Sequence, residues 1–81
     1  MRLDKYLKVS RLIKRRTVAN DACDSGRVFV NGNTAKASYS VKEGDIITLS
    51  FGNRTLKIRV TALLEHEKKE LASTMYEVLE D

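Results

Sequence analysis

Seven cations crowd the first sixteen residues of this chain: Arg2, Lys5, Lys8, Arg11, Lys14, Arg15 and Arg16. Side chains of these types at this density do one kind of chemistry well, the gripping of phosphates. Arginine offers paired N–H donors that match two oxygens of a phosphate, and lysine offers a compact point charge. Lys14, Arg15 and Arg16 are consecutive and stand where a helix over roughly 15–25 is expected to begin. A cation beside the positive end of a helix dipole costs the free protein about 0.3–1 kcal/mol. The free amide groups of that helix start bind phosphate well, so a docked polyanion would relieve the repulsion. A purely solvated, repulsive cluster is the bland alternative, and it would cost stability that a chain of 81 residues can ill spare.

Little else in the sequence can do chemistry. Cys23 is the only thiol and His66 the only imidazole, so a zinc site built from Cys and His cannot be assembled and no internal disulfide is possible. Cys23 falls on a helix face of small residues and reads as a buried, inert thiol. His66 lies among Glu65, Glu67 and Lys68 and reads as solvated surface. Asp4, Asp21 and Asp24 lie near the basic segment. Asp21 and Asp24 read as helix-surface charges, and no cleft is indicated that would set paired carboxylates to acid–base work. Asn31-Gly32-Asn33 reads as a turn and not a phosphate loop. Tyr6, Phe29 and Phe51 are expected in the core, whereas Tyr39, in a polar loop near Lys36, is the aromatic best placed to meet a ligand. No catalytic residue, cofactor or metal is expected.

The charge is uneven. Residues 1–42 hold ten Lys/Arg against three acids, net +7, and residues 43–81 hold five against eight, net −3. Such asymmetry suggests a polyanion-binding face on a near-neutral support. Charged residues interrupt every long apolar run, so neither a transmembrane helix nor a signal peptide is expected. The apolar faces are short and needed for the core, which argues against an amphipathic membrane anchor.

These cations need elements to position them. RLDKYLKVS reads as a short helix with Leu3, Tyr6 and Leu7 on one face, and Leu12 and Ile13 as a plug in the connection that follows. The second helix buries Val18 or Ala19 together with Ala22 and Cys23, and Gly26 ends it. The period then changes to two. Val28 and Val30 mark a strand, Asn31-Gly32 a hairpin turn, and Thr34 to Lys36 a brief return strand. ASYSVKEGD is a loop closing on Gly44-Asp45. IITLSF and RTLKIRVTAL are strands across a Gly52-Asn53 turn, HEKKELASTM a helix turn or loop, and MYEVLED an edge strand. The fold class expected is α+β: two N-terminal helices packed on a small, curved, mostly antiparallel sheet of about five strands. Residues 1–81 are expected to form a single domain, with a binding motif over 1–50 and a strand extension over 51–81 completing the sheet.

Several of these motifs coincide with a known pattern. Arg2-Leu3-Asp4, Arg16-Thr17-x-Ala19, Gly26-Arg27-Val28-x-Val30-Asn31-Gly32 and Gly44-Asp45 fill the positions of the RNA-binding domain named after small-subunit ribosomal protein S4. The chain resembles that family over about residues 1–50. The resemblance implies helices that bind structured RNA, ribosomal or transfer RNA in particular. It carries RNA contact onto Arg2, Lys14, Arg16, Thr17 and Lys36. Arg15 stands where the family often has a capping serine, and Val18 where it often has Glu, so both halves of a capping box are missing, although Thr17 could cap one turn later. Most S4 domains are parts of larger enzymes, whereas this chain is similar to the stand-alone bacterial S4 proteins of the heat-shock and ribosome quality-control branches. Its short acidic C-terminus favours the quality-control branch.

That branch implies a non-enzymatic, cytoplasmic factor, monomeric and off the membrane. Its implied partners are large-subunit rRNA and tRNA, the 50S subunit blocked with peptidyl-tRNA, and a larger tRNA-binding quality-control factor with which it assists C-terminal alanine tailing. Rival readings are a heat-shock-type recycling factor that stabilises tRNA on split subunits, an accessory subunit of an RNA-modifying enzyme, and an intrinsic ribosomal protein. If Arg16 lies in the pocket and Lys42 in a remote turn, Arg16→Ala weakens RNA binding more than Lys42→Ala.

Overall fold

The computed structural model describes residues 1–63 and 74–79. Helix α1 spans Leu3–Val9 and α2 spans Arg16–Asp24. The i, i+3, i+4 stripe of α1 is fully interior: Leu3, Tyr6 and Leu7 have no exposed surface. Helix α2 buries Ala19 and Cys23 and leaves Val18 half exposed, which settles the open choice in favour of Ala19. Alanine and cysteine are small, so α1 can approach closely. Ile13 plugs the gap between the helices, and Leu12 packs partly against the same core.

Gly26 ends α2 as expected. Its φ is +83°, its amide donates to the Cys23 carbonyl at 3.1 Å, and the Arg27 amide donates to the Ala22 carbonyl at 3.0 Å. These are the two bonds of a Schellman motif, which needs a left-handed residue where glycine now stands.

Five strands follow: β1 Val28–Val30, β2 Asn33–Thr34, β3 Ile46–Phe51, β4 Arg54–Val60 and β5 Tyr76–Leu79. They form one sheet in the order β2-β1-β3-β4-β5, and every neighbouring pair is antiparallel. The α+β class expected from the sequence is the one found. The β1–β2 hairpin turns on Asn31 and Gly32 with φ of 53° and 88°, the double positive φ of a type I′ turn. Alternation puts Val28, Val30, Ile47, Leu49, Ile58 and Val60 in the interior, in one core with the buried residues of the helices.

Several local expectations change, among them the strand expected over 54–63, which ends at Val60. The return strand is Asn33–Thr34, because Ala35 and Ala37 turn inward and are buried. Phe29 is only partly buried; its neighbours Val28 and Val30 take the interior face, so its ring points the other way. Phe51 is 46% exposed at the very end of β3. Of the helix turn or loop expected over 66–75, residues 66–73, His66 among them, lie outside the described residues. Among the described residues no helix is long and apolar enough to cross a membrane.

Candidate nucleic-acid interface

Arg2 sits just ahead of α1 in extended conformation, φ −63° and ψ 145°. Two backbone bonds bracket it: the Leu3 amide donates to the Tyr39 carbonyl, and the Val41 amide to the Met1 carbonyl, both at 2.8 Å. Arg2 thereby pairs with Ser40 as an isolated antiparallel bridge. This bridge also brings the turn holding Lys42 toward Arg2, so Lys42 is not the remote reference that the sequence suggested. Arg59 serves better. It flanks the interior residues Ile58 and Val60 in β4, so its side chain leaves the face covered by the helices and makes an exposed 3.6 Å ion pair with Glu77.

Arg16 opens α2. The preceding residue, Arg15, is extended (φ −123°, ψ 135°), and no side chain caps the helix. Thr17 is inside the helix and exposed, so it does not cap one turn later. The first-turn amides lack a capping side chain and lie beside two guanidinium groups.

Between the two helix starts sits Asp4, 2% exposed. Its Oδ1 accepts from Arg2 Nε at 3.2 Å, from the Lys5 amide at 2.8 Å and from Arg16 Nη2 at 3.4 Å. Its Oδ2 accepts from Asn20 Nδ2 at 3.2 Å, meets Arg16 Nε at 3.4 Å, and takes a longer contact from Arg2 Nη2 at 3.5 Å. Asn20 reaches the same carboxylate because it lies one turn beyond Arg16 on α2. Burial alone would raise the Asp4 pKa, but the hydrogen bonds from Arg2, Asn20, Arg16 and the Lys5 amide outweigh it and hold the carboxyl below its ordinary value. The Arg2 and Arg16 side chains remain about half exposed, at 50% and 49%. Asp4, Arg16, Thr17, Asn20 and Asp21 line a shallow depression of about 330 Å³.

The fold thus gathers Arg2, Arg16 and Thr17. Lys14 and Arg15 are exposed in the segment leading into α2, Lys5 and Lys8 are partly exposed on α1, and Arg11 is exposed between the helices with φ +65°. Lys36 is exposed and lines a small cleft with Cys23, Asp24 and Gly26 at the end of α2; the next residue, Ala37, accepts the Asp4 amide at 3.2 Å through its carbonyl, so the Lys36 segment runs alongside the start of α1. Tyr39 packs partly against the core and donates to Asp45 Oδ2 at 3.0 Å, which commits its hydroxyl to the loop. Cys23 is buried, and burial with the Asp4 and Asp24 carboxylates pushes its thiol up to about 11. Among the described residues no cluster could hold a metal ion. A larger groove, about 550 Å³, has a mostly apolar lining that includes Leu12, Val18 and Phe51, and it contains none of the first sixteen residues' cations.

Sequence reasoning missed Asp4. The available signal was an acid two residues from Arg2 inside the densest run of cations, where a solvated carboxylate would only weaken the attraction for a polyanion.

A helix pair with a cation-rich start, backed by a small antiparallel sheet, defines a class. The chain belongs to the S4 domain family, whose model matches residues 1–47. It is 56% identical over 78 residues to the RQC P-site tRNA stabilizing factor of Halalkalibacterium halodurans, covering 96% of this chain and 89% of that one. To the protein of the same name from Bacillus subtilis it is 53% identical over 81 residues, covering 100% of this chain and 94% of that one. Among solved structures, the trimeric structure of Vibrio cholerae heat shock protein 15 superposes with a TM-score of 0.90 at 32% identity, covering 98% of this chain and 81% of that one.

Proposed function

We propose that this chain is a non-enzymatic RNA-binding factor of the bacterial cytoplasm that acts in ribosome-associated quality control. It binds the large ribosomal subunit blocked with peptidyl-tRNA and contacts both rRNA and tRNA. Alongside a larger tRNA-binding factor it assists C-terminal alanine tailing of the stalled product. Residues 1–50 form the binding motif and 51–81 the strand extension of one domain. Arg2, Arg16 and Thr17 form the centre of the grip. Lys5, Lys8, Arg11, Lys14 and Arg15 surround it, and Lys36 is a further contact. The observation that carries this reading is the convergence of two half-exposed arginines on an uncapped helix start. The names of the relatives from H. halodurans and B. subtilis supply the ribosomal setting.

The test is co-sedimentation with large subunits carrying peptidyl-tRNA. Arg16→Ala is expected to weaken binding about tenfold or more, by loss of charge-assisted bonds to phosphate, and Arg59→Ala to leave it near the parent level. If four to six phosphates are neutralised, log K falls with log salt at a slope of roughly −3 to −5. Equal losses in the two variants, or a flat salt response, overturn the reading.

The close superposition on heat shock protein 15 favours a second reading, a recycling factor that stabilises tRNA on split subunits. Reconstituted alanine addition separates the two: a tailing factor raises the yield of alanine-extended peptide, and a recycling factor does not. The chain acts as a monomer in the first reading. A trimer in solution, as named for the V. cholerae protein, would favour the second.

A further inference from the structure

An acid in the middle of a polyanion-binding face is adverse on charge alone. Asp4 is there nonetheless, buried to 2% exposure, and its two oxygens are shared between the guanidinium groups of Arg2 and Arg16, the amide of Asn20 and the backbone of Lys5. We infer that Asp4 is the positioning residue of the phosphate grip: its carboxylate holds Arg2 and Arg16 side by side, so that the open edges of both face one stretch of RNA backbone. This rests on the RNA-binding reading above and adds the residue that organises it.

The argument is geometric. Arg2 is delivered by the bridge to Ser40 and Arg16 by the first turn of α2, two segments with no covalent reason to align. Their guanidinium groups repel each other. A single carboxylate within 3.5 Å of nitrogens of both cancels that repulsion and selects one rotamer for each. A guanidinium has five N–H donors, more than one shared carboxylate can take. With half of each side chain still exposed, donors remain for phosphate oxygens. Binding then loses little side-chain freedom, because the ordering has already occurred in the free protein. The ligand class this suits is a pair of neighbouring phosphodiesters held by two guanidinium forks. Lys14 and Arg15, exposed in the segment before α2, add attraction without that geometry.

The consequence runs against simple electrostatics. Asp4→Asn raises the net charge from +4 to +5, so a charge-only account expects tighter RNA binding. If Asp4 positions the arginines, binding weakens about tenfold, as when other preorganised contacts are set loose. The probe is the large ribosomal subunit carrying peptidyl-tRNA, titrated with the parent, Arg16→Ala, Asp4→Asn, and the pair Arg2→Ala/Arg16→Ala with and without Asp4→Asn. Support is a loss in Asp4→Asn that disappears in the double-alanine background. Binding by Asp4→Asn at or above the parent level, with Arg16→Ala still weakened, overturns this inference and leaves the RNA-binding reading standing. Parent-level binding by Arg16→Ala overturns that reading itself. A loss in Asp4→Asn that persists in the double-alanine background shows that Asp4 merely holds the fold, and also overturns the inference.

Should Asp4→Asn not fold, the arginine Nε–H resonances of the parent decide the matter. Two signals protected from solvent exchange at neutral pH and averaged after acidification support the positioning role. Signals already averaged at neutral pH refute it.

Discussion

Asp4 carries a measurable signature of its own. Its pKa is lower in the folded protein than in the unfolded chain, where an aspartate titrates near about 3.9. A depressed carboxylate contributes stability that is fully present above the unfolded value and is lost as pH falls through the folded value. Melting temperature is therefore expected to decline more steeply below about pH 4 in the parent than in Asp4→Asn, as thermal denaturation at stepped pH would show. Of the residues that matter, the cations were legible in the sequence because each carries its chemistry alone. Asp4 was not, because its meaning depends on Arg16 and Asn20, which reach it only after the second helix has folded back. Cys23 lay between these cases. Its inert burial followed from the small residues around it, but the upward push of its thiol by Asp4 and Asp24 depends on the tertiary arrangement.

The helices and hairpins divide along the same line. The type I′ turn and the Schellman end of α2 were visible because the chemistry of a turn is contained in three or four consecutive residues. Gly26→Ala tests the latter. Nothing lies within 4 Å of the Cβ it would add, so the effect isolates backbone strain at φ +83°. The expected cost is about 1–2 kcal/mol, read as a lowered melting temperature with the binding face unchanged. The short return strand was misjudged because its end is set from a distance: Asp24, at the end of α2, accepts the Ala37 amide at 3.0 Å and pulls the chain off the sheet. Asp24 read as a helix-surface charge because its partner, the Ala37 amide, lies 13 residues away and is a backbone group that no side-chain pattern marks. The exposure of Phe51 likewise depends on how far the helix layer extends over β3, and alternation within the strand says nothing of that.

At the scale of the whole molecule, one hydroxyl ties the first helix to the last strand region. Tyr6, with no exposed surface, donates to the Met75 carbonyl at 2.7 Å across a separation of 69 residues. That carbonyl also accepts the Thr61 amide at 2.9 Å, so Tyr6→Phe does not orphan it. The expected loss is about 0.5–1.5 kcal/mol, the net worth of an ordinary hydrogen bond, and is measurable by urea denaturation. A loss several times larger would mean that the tie supports the helix pair cooperatively. No local pattern announces a bond of this span, although the sequence did place Tyr6 inside and a strand near the C-terminus. The tie also has a temporal side. During biosynthesis the helix that bears Tyr6 emerges 69 residues ahead of its anchor. A nascent copy whose residue 75 is still inside the exit tunnel lacks the back support of its own grip, so the finished binding face has to wait for that residue to emerge.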